Sequence, residues 1–169
     1  LEFFAASMTY DLQNTDKLNI FRQDMMRAGH PLHCPDVNKS MVTFAVEGDG
    51  VRYALAAVKN VGEAGMGSLV AERNAKGPFK DIHDFANRID PKGMNKRQLE
   101  NLIAAGAFDS LYSNRGELYV NAEEILKTAQ LCQQEKTSKQ ASLFGTSEST
   151  VIPVNIRKAM DFDPLEKLQ

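Results

Sequence analysis

The sequence predicts a mainly α-helical fold with one small β-hairpin, and three observations predict it. Apolar residues recur at helical spacing, as in Ile82, Phe85, Ala86 and Ile89 at i, i+3, i+4 and i+7. Gly, Asn and Pro punctuate these runs at Gly29, Gly62, Gly77-Pro78, Pro91 and Gly106, where helices would start or stop. A β-prone stretch at residues 41–46 is followed by a Gly48-Asp49-Gly50 turn and a second short strand at residues 51–53.

Residues 1–9 read as the end of an apolar helix. Asn14 or Thr15 caps the next one, which runs through Leu18, Ile20, Phe21, Met25 and Met26 to a stop at Gly29. Residues 29–40 contain Pro31 and Pro35 and no periodicity, so an extended connector is expected. His30, His33 and Cys34 are metal-ligand types. No second ligand pair follows at a useful spacing, and the third histidine, His83, is far along the chain, so no metal site is expected.

Residues 51–74, VRYALAAVKNVGEAGMGSLVAERN, form the centre of the pattern. An apolar helix-favouring run at 53–58 meets a break at Asn60-Val61-Gly62, and a second amphipathic run follows from Ala64 to Arg73. Gly62 tolerates the positive φ of a sharp reversal, and Asn60 is among the few other residues that do. Two short helices so joined expose backbone N–H groups at the turn and at the second helix's start, a cradle for a phosphate. That shape is a helix-hairpin-helix, which grips the DNA backbone without reading bases. Any αα-hairpin packed in a core gives the same local pattern.

Downstream, Pro91-Lys92-Gly93 ends the helix that carries Ile82 and Phe85, and Asn95 caps the next, KRQLENLIAA, which stops at Gly106. Lys92, Lys96 and Arg97 lie near its start, where cations oppose the helix dipole and an incoming anion would relieve them. Gly106-Ala107-Phe108 predicts a second tight turn, and a long helix is expected over residues 115–134. Helix, glycine turn, helix thus occurs twice, and two such units about a pseudo-twofold can hold both strands of a duplex. Gly65 and Gly67, inside the second run, each cost a helix roughly 1 kcal/mol unless backbones pack closely there.

The net charge of −2 is not that of a generic DNA-coating protein. Residues 51–100 nevertheless hold nine Lys or Arg against six Asp or Glu, an excess of three that leaves the remainder at −5. No apolar run reaches the roughly 18 residues of a membrane span. Two isolated cysteines, Cys34 and Cys132, predict a reduced, cytoplasmic protein. The first residue is Leu1, which suggests a piece of a longer chain. From Glu135 the composition turns to Ser, Thr, Lys and Gln, predicting a linker. Within it Gln140, Ala141, Ser142, Leu143 and Phe144 form one apolar cluster suited to a partner's pocket. RKAMDFDPLEKLQ, at the end, reads as the beginning of a helix.

The segments EFFAASMTYD with NTDKL, CPDVNKS, VRYALAAVKNVGEA, KGPFKDIHDFANRID, MNKRQLENLIAAGAFDSL and QASLF occur in this order over nearly all of residues 1–169. In that set the chain resembles the fingers and helix-hairpin-helix region of the alpha subunits of bacterial DNA polymerase III, the C-family replicative polymerases. The resemblance implies the end of a helical fingers domain over 1–50 and a tandem helix-hairpin-helix module over 51–134. A flexible clamp-binding linker over 135–155 and the start of a further element over 156–169 follow. It implies double-stranded DNA as partner for Lys59, Asn60, Val61, Gly62 and Glu63, joined by Lys92, Lys96, Arg97 and Gly106. Residues 140–144 look like the motif that docks in the β sliding clamp, with Gln140 making the polar contact and Leu143 and Phe144 filling the apolar cleft.

The same resemblance implies a bacterial cytoplasmic, nucleoid-associated replisome and other polymerase III holoenzyme subunits as partners through the parent protein. The palm carboxylates that bind Mg²⁺ in this family are not recognisable in the chain. The parent is therefore expected to be a DNA-directed polymerase and this piece to be non-catalytic, with no cofactor of its own. A repair or recombination adaptor with tandem hairpins, or an error-prone relative of the alpha subunit, would share the hairpins. QASLF favours the replicative form, and an autonomous nuclease lacks clustered Asp, Glu and His.

Overall fold

A computed structural model describes residues 1–141, 151–164 and 167. Among these are seven helices and a three-stranded sheet: α1 (Glu2–Tyr10), α2 (Thr15–Arg27), β1 (Leu32–His33), β2 (Ala45–Glu47), β3 (Gly50–Arg52), α3 (Glu63–Lys76), α4 (Ile82–Arg88), α5 (Lys96–Ala104), α6 (Arg115–Val120) and α7 (Ala122–Ala141). The mainly helical class with its small hairpin is as the sequence predicts.

Side-chain caps set most of the helix starts. Asn14, Asp81, Asn95 and Asn114 each accept a backbone N–H from the third residue onward, opening α2, α4, α5 and α6. Asn95 belongs to a full capping box, since the Gln98 side chain also accepts the Asn95 N–H at 2.9 Å. Such a reciprocal pair fixes the entry angle of α5, which matters below.

The connector over 29–40 is not wholly irregular. Leu32–His33 pairs in parallel with Val51 and Arg52, so the hairpin is extended to a sheet ordered β1-β3-β2. The predicted strand at 41–46 shrinks to Ala45–Glu47 because the carbonyls of Met41 and Val42 are spent on the N–H groups of Leu55 and Ala56. Those same bonds remove the need for a helix over 53–58. Only one 3₁₀ turn forms, Leu55–Ala57, flanked by extended Ala54 and Val58.

Arg73 ties α3 to this layer. It is 7% exposed and donates to the carbonyls of Val37 at 3.0 Å and Ser40 at 2.7 Å. Burial pulls its guanidinium below the ordinary arginine value, and the charge of Asp36 opposes that pull. The core beneath is aromatic. Phe85 meets Phe79 edge-on at 5.1 Å and Phe108 at 4.8 Å, joining α4 to the segments before it and after α5. Arg88 lies over Phe79 at 4.5 Å and pairs with Glu72 and Asp84.

The helix expected over 115–134 breaks at Asn121, and α7 then runs on through residues 135–141, where composition predicts a linker. The break at Asn121 is where the end of the chain docks. Residues 151–163 form no helix; they return as a strap across α4, the Asn121 break and α6. The Asn87 side chain donates to the Ile152 carbonyl and accepts the Ile152 N–H, and Asn121 does the same with Arg157. Val154 is buried and gives its N–H to His83 Nδ1 at 3.0 Å. At Gly116 an added Cβ would lie 2.0 Å from the Met160 carbonyl oxygen, so only glycine lets the strap pass.

Candidate nucleic-acid interface

The turn at 59–63 is built differently from expectation. Positive φ falls on Asn60, at 62°, and Gly62 is extended at φ −91° and ψ 142°. Asn is tolerant of the left-handed region because its short polar side chain bonds locally. Gly62 instead serves as the N-cap of α3 and carries no side-chain cap. The first helical bond is Met66 N–H to Gly62 C=O, so the N–H groups of residues 63–65 have no partner within the helix. Lys59, Asn60, Glu63 and Ala64 are exposed around them.

α5 comes to the same place. Asn101 Nδ2 donates to the Lys59 carbonyl at 2.8 Å, locking the turn to α5. The turn at 91–94 approaches so closely that a Cβ on Gly65 would lie 1.9 Å from the Gly93 carbonyl oxygen. Gly67 has nothing within 4 Å of such a Cβ, and nothing in the structure explains it. The starts of α3 and α5 therefore line one open depression of about 540 Å³, with Gly62, Gly65, Lys92, Lys96 and Gln98 on its wall. Lys96 is only loosely held, 3.8 Å from Glu100 and 3.7 Å from Glu123, and Arg97 is exposed on the first turn of α5. Two positive helix ends and two lysines line one surface, with Arg97 exposed on the same first turn of α5, an arrangement that attracts a polyanion.

Three cations counted in the charge excess are removed by the fold. Arg73 is buried, Arg52 pairs with Glu47, and Arg88 with Glu72 and Asp84. Burial pushes Glu72 toward protonation, but Lys76 and Arg88 outweigh it and hold its carboxyl below the usual value. Local charge counting does not separate these structural cations from Lys59, Lys92, Lys96 and Arg97. A signal for the difference exists only at Arg73, four residues after Leu69 and so on the same helix face.

Gly106 lies elsewhere. It is buried, with φ 84°, and an added Cβ would fall 2.4 Å from the Arg115 guanidinium. His30 and His33 face the carbonyls of Asp49 and Glu47, and Cys34 is exposed and free. Among the described residues no group of three His, Cys, Asp or Glu could hold a metal ion. Of the cluster at 140–144, the backbone of Gln140 and Ala141 ends α7; Ser142, Leu143 and Phe144 lie outside the described residues. No described helix is long and apolar enough to cross a membrane.

Residues 29–118 match the helix-hairpin-helix motif family. The chain belongs to that family. Over a wider span this helix-hairpin-helix chain is 49% identical to the DNA polymerase III subunit alpha of Caulobacter vibrioides, across 86% of its own length and 13% of the relative's. It is 38% identical to the subunit alpha of Neisseria meningitidis serogroup B, over 99% of its length and 14% of the relative's. That of Haemophilus influenzae is 37% identical over 88% of the chain. The resemblance to alpha subunits thus holds, and the chain spans about one seventh of the length of these curated relatives.

Proposed function

We propose that this helix-hairpin-helix chain is the part of a bacterial replicative polymerase that holds duplex DNA by its backbone and tethers the β sliding clamp, while the nucleotidyl transfer is done by palm carboxylates elsewhere in the parent. The observation that carries the DNA reading is the depression where the uncapped start of α3 and the start of α5 meet Lys92 and Lys96. Lys59 and Arg97 flank it, and the backbone N–H groups of residues 62–65 supply donors that fit a phosphate without regard to base sequence. This role belongs to a cytoplasmic replisome, and Mg²⁺ belongs to the parent's palm.

The DNA reading predicts a salt-dependent affinity. Changing Lys59, Lys96 and Arg97 together to alanine is expected to weaken binding to any duplex sequence about equally and to flatten the log–log salt dependence by about one unit per lost phosphate contact. Fluorescence anisotropy over a range of NaCl checks this. Affinity insensitive to salt in the unmodified protein would sink the phosphate mechanism.

The clamp reading rests on the QASLF sequence at residues 140–144. Titration with purified clamp, beside the Gln140→Ala, Leu143→Ala, Phe144→Ala triple variant, is expected to show binding that the triple change abolishes. Equal binding by the two proteins would reduce residues 140–144 to a connection and raise the error-prone and repair readings.

A further inference from the structure

We infer that the module grips one strand of a duplex, through the first turn and the start of α5, and that its second turn is a buttress for the strap. This rests on the DNA reading above and sharpens it. Sequence symmetry suggests two equivalent hairpins on two strands, but the two turns are chemically unlike.

The second turn spends most of its backbone donors internally. Gly106 N–H bonds Ile103 C=O at 3.0 Å and Ala107 N–H bonds Leu102 C=O at 3.0 Å, the paired bonds of a Schellman helix end. Asp109, Leu111 and Tyr112 also give their N–H groups to carbonyls within the loop. Ala107 and Phe108 are buried, and the Ala107 carbonyl accepts the Val37 N–H at 2.9 Å. A phosphate would have to break these bonds to be bound.

Its charge is also wrong for DNA. The one arginine at the turn, Arg115, is held by Asp109 at 2.6 Å and donates to the Ala104 carbonyl at 3.1 Å and the Lys167 carbonyl at 3.3 Å. The next residue, Gly116, gives its N–H to Asp161 and lets the strap cross it. By contrast the first turn has an uncapped helix start and exposed Lys59, with Lys92, Lys96 and Arg97 nearby. The uncapped helix start and the exposed Lys59, Lys92, Lys96 and Arg97 lie on the first-turn side, whereas the second turn's own arginine is spent on Asp109.

A duplex with one strand made entirely of neutral methylphosphonates tests this. A one-strand gripper turns over and binds the charged strand, so affinity is expected to fall less than about tenfold at moderate salt. A module that spans both strands loses half its contacts in either orientation, and a fall of tenfold or more overturns the inference. A second pair of variants is independent of DNA chemistry. Arg97→Glu is expected to weaken binding to the unmodified duplex, while Ser113→Glu, exposed beside the second turn, leaves it within twofold. Equal weakening by both overturns the inference and leaves the DNA reading standing. If the unmodified protein binds no duplex, the DNA reading falls and the one-strand inference with it.

Discussion

Gly65→Ala is expected to destabilise the protein by about 3 kcal/mol, near the upper end of overpacking costs, and to lower its Tm by ~9 °C. The new Cβ would fall 1.9 Å from the Gly93 carbonyl oxygen and 3.1 Å from its carbonyl carbon, and backbone cannot swing away as a side-chain tip can. Relief requires the 91–94 turn to move off α3. That movement separates Lys92 from the start of α3, so duplex affinity should drop by about tenfold even where the variant remains folded, the loss of one charge-assisted contact. Gly67→Ala is the internal comparison. Its Cβ meets nothing within 4 Å, and the helix gains about 0.5–1 kcal/mol from the better propensity and a less flexible unfolded chain. Thermal denaturation of the two variants should move in opposite directions. Equal and opposite behaviour to that expected, or no change at Gly65, would show that the 91–94 turn yields freely.

The same pair shows where the sequence is informative. The helix propensity scale marks Gly65 and Gly67 as equally costly, and only the close pass of Gly93 separates them. Local signals did well where the determinant is local: Asn95 caps α5 because its side chain reaches an N–H three residues on, and Gly106 and Gly29 take positive φ at helix ends. They failed where a distant group competes for the backbone. Residues 53–58 have the composition of a helix, but the carbonyls of Met41 and Val42 claim two of its donors and leave one 3₁₀ turn. Of the two residues able to take positive φ in the first turn, Asn60 and not Gly62 makes its reversal.

The candidate site was half legible for the same reason. Lys59, Gly62, Lys92 and Lys96 are named by type and by their place beside helix starts, and the fold brings Gly62, Lys92 and Lys96 to one depression. Gln98 was not named, because its importance comes from capping Asn95 while lying beside Gly62, a contact between segments 36 residues apart in the chain. The likeness of the two glycine turns was visible in the letters; that Gly106 faces Arg115 and the interior was not.

Asn121→Ala is expected to cost about 2.5 kcal/mol, or ~8 °C in Tm, although it removes only the terminal amide group. Asn121 is fully buried, and its amide does three things at once. Nδ2 donates to the Glu117 carbonyl at 2.7 Å and to the Arg157 carbonyl at 2.8 Å, and Oδ1 accepts the Arg157 N–H at 2.9 Å. An amide side chain is the only kind that offers both a donor and an acceptor in this spacing, so it mimics the edge of a β-strand for the strap. Alanine takes the amide partner from the Arg157 N–H and C=O and lets the strap lift at its middle, exposing Val154 and the Tyr119–Phe162 contact. Two readouts distinguish this from ordinary core loss. Protease cleavage within residues 151–162 should become faster than global unfolding permits, because the strap opens locally. Asn121→Asp should be worse than alanine at neutral pH, since a buried carboxylate faces two carbonyls, and should recover as pH falls and the proton restores a donor. The sign follows from burial raising the folded-state carboxyl pKa above its unfolded value, so stability grows below the folded pKa and is lost above it. A strap that resists protease in both variants would mean that Asn87 and His83 alone hold it.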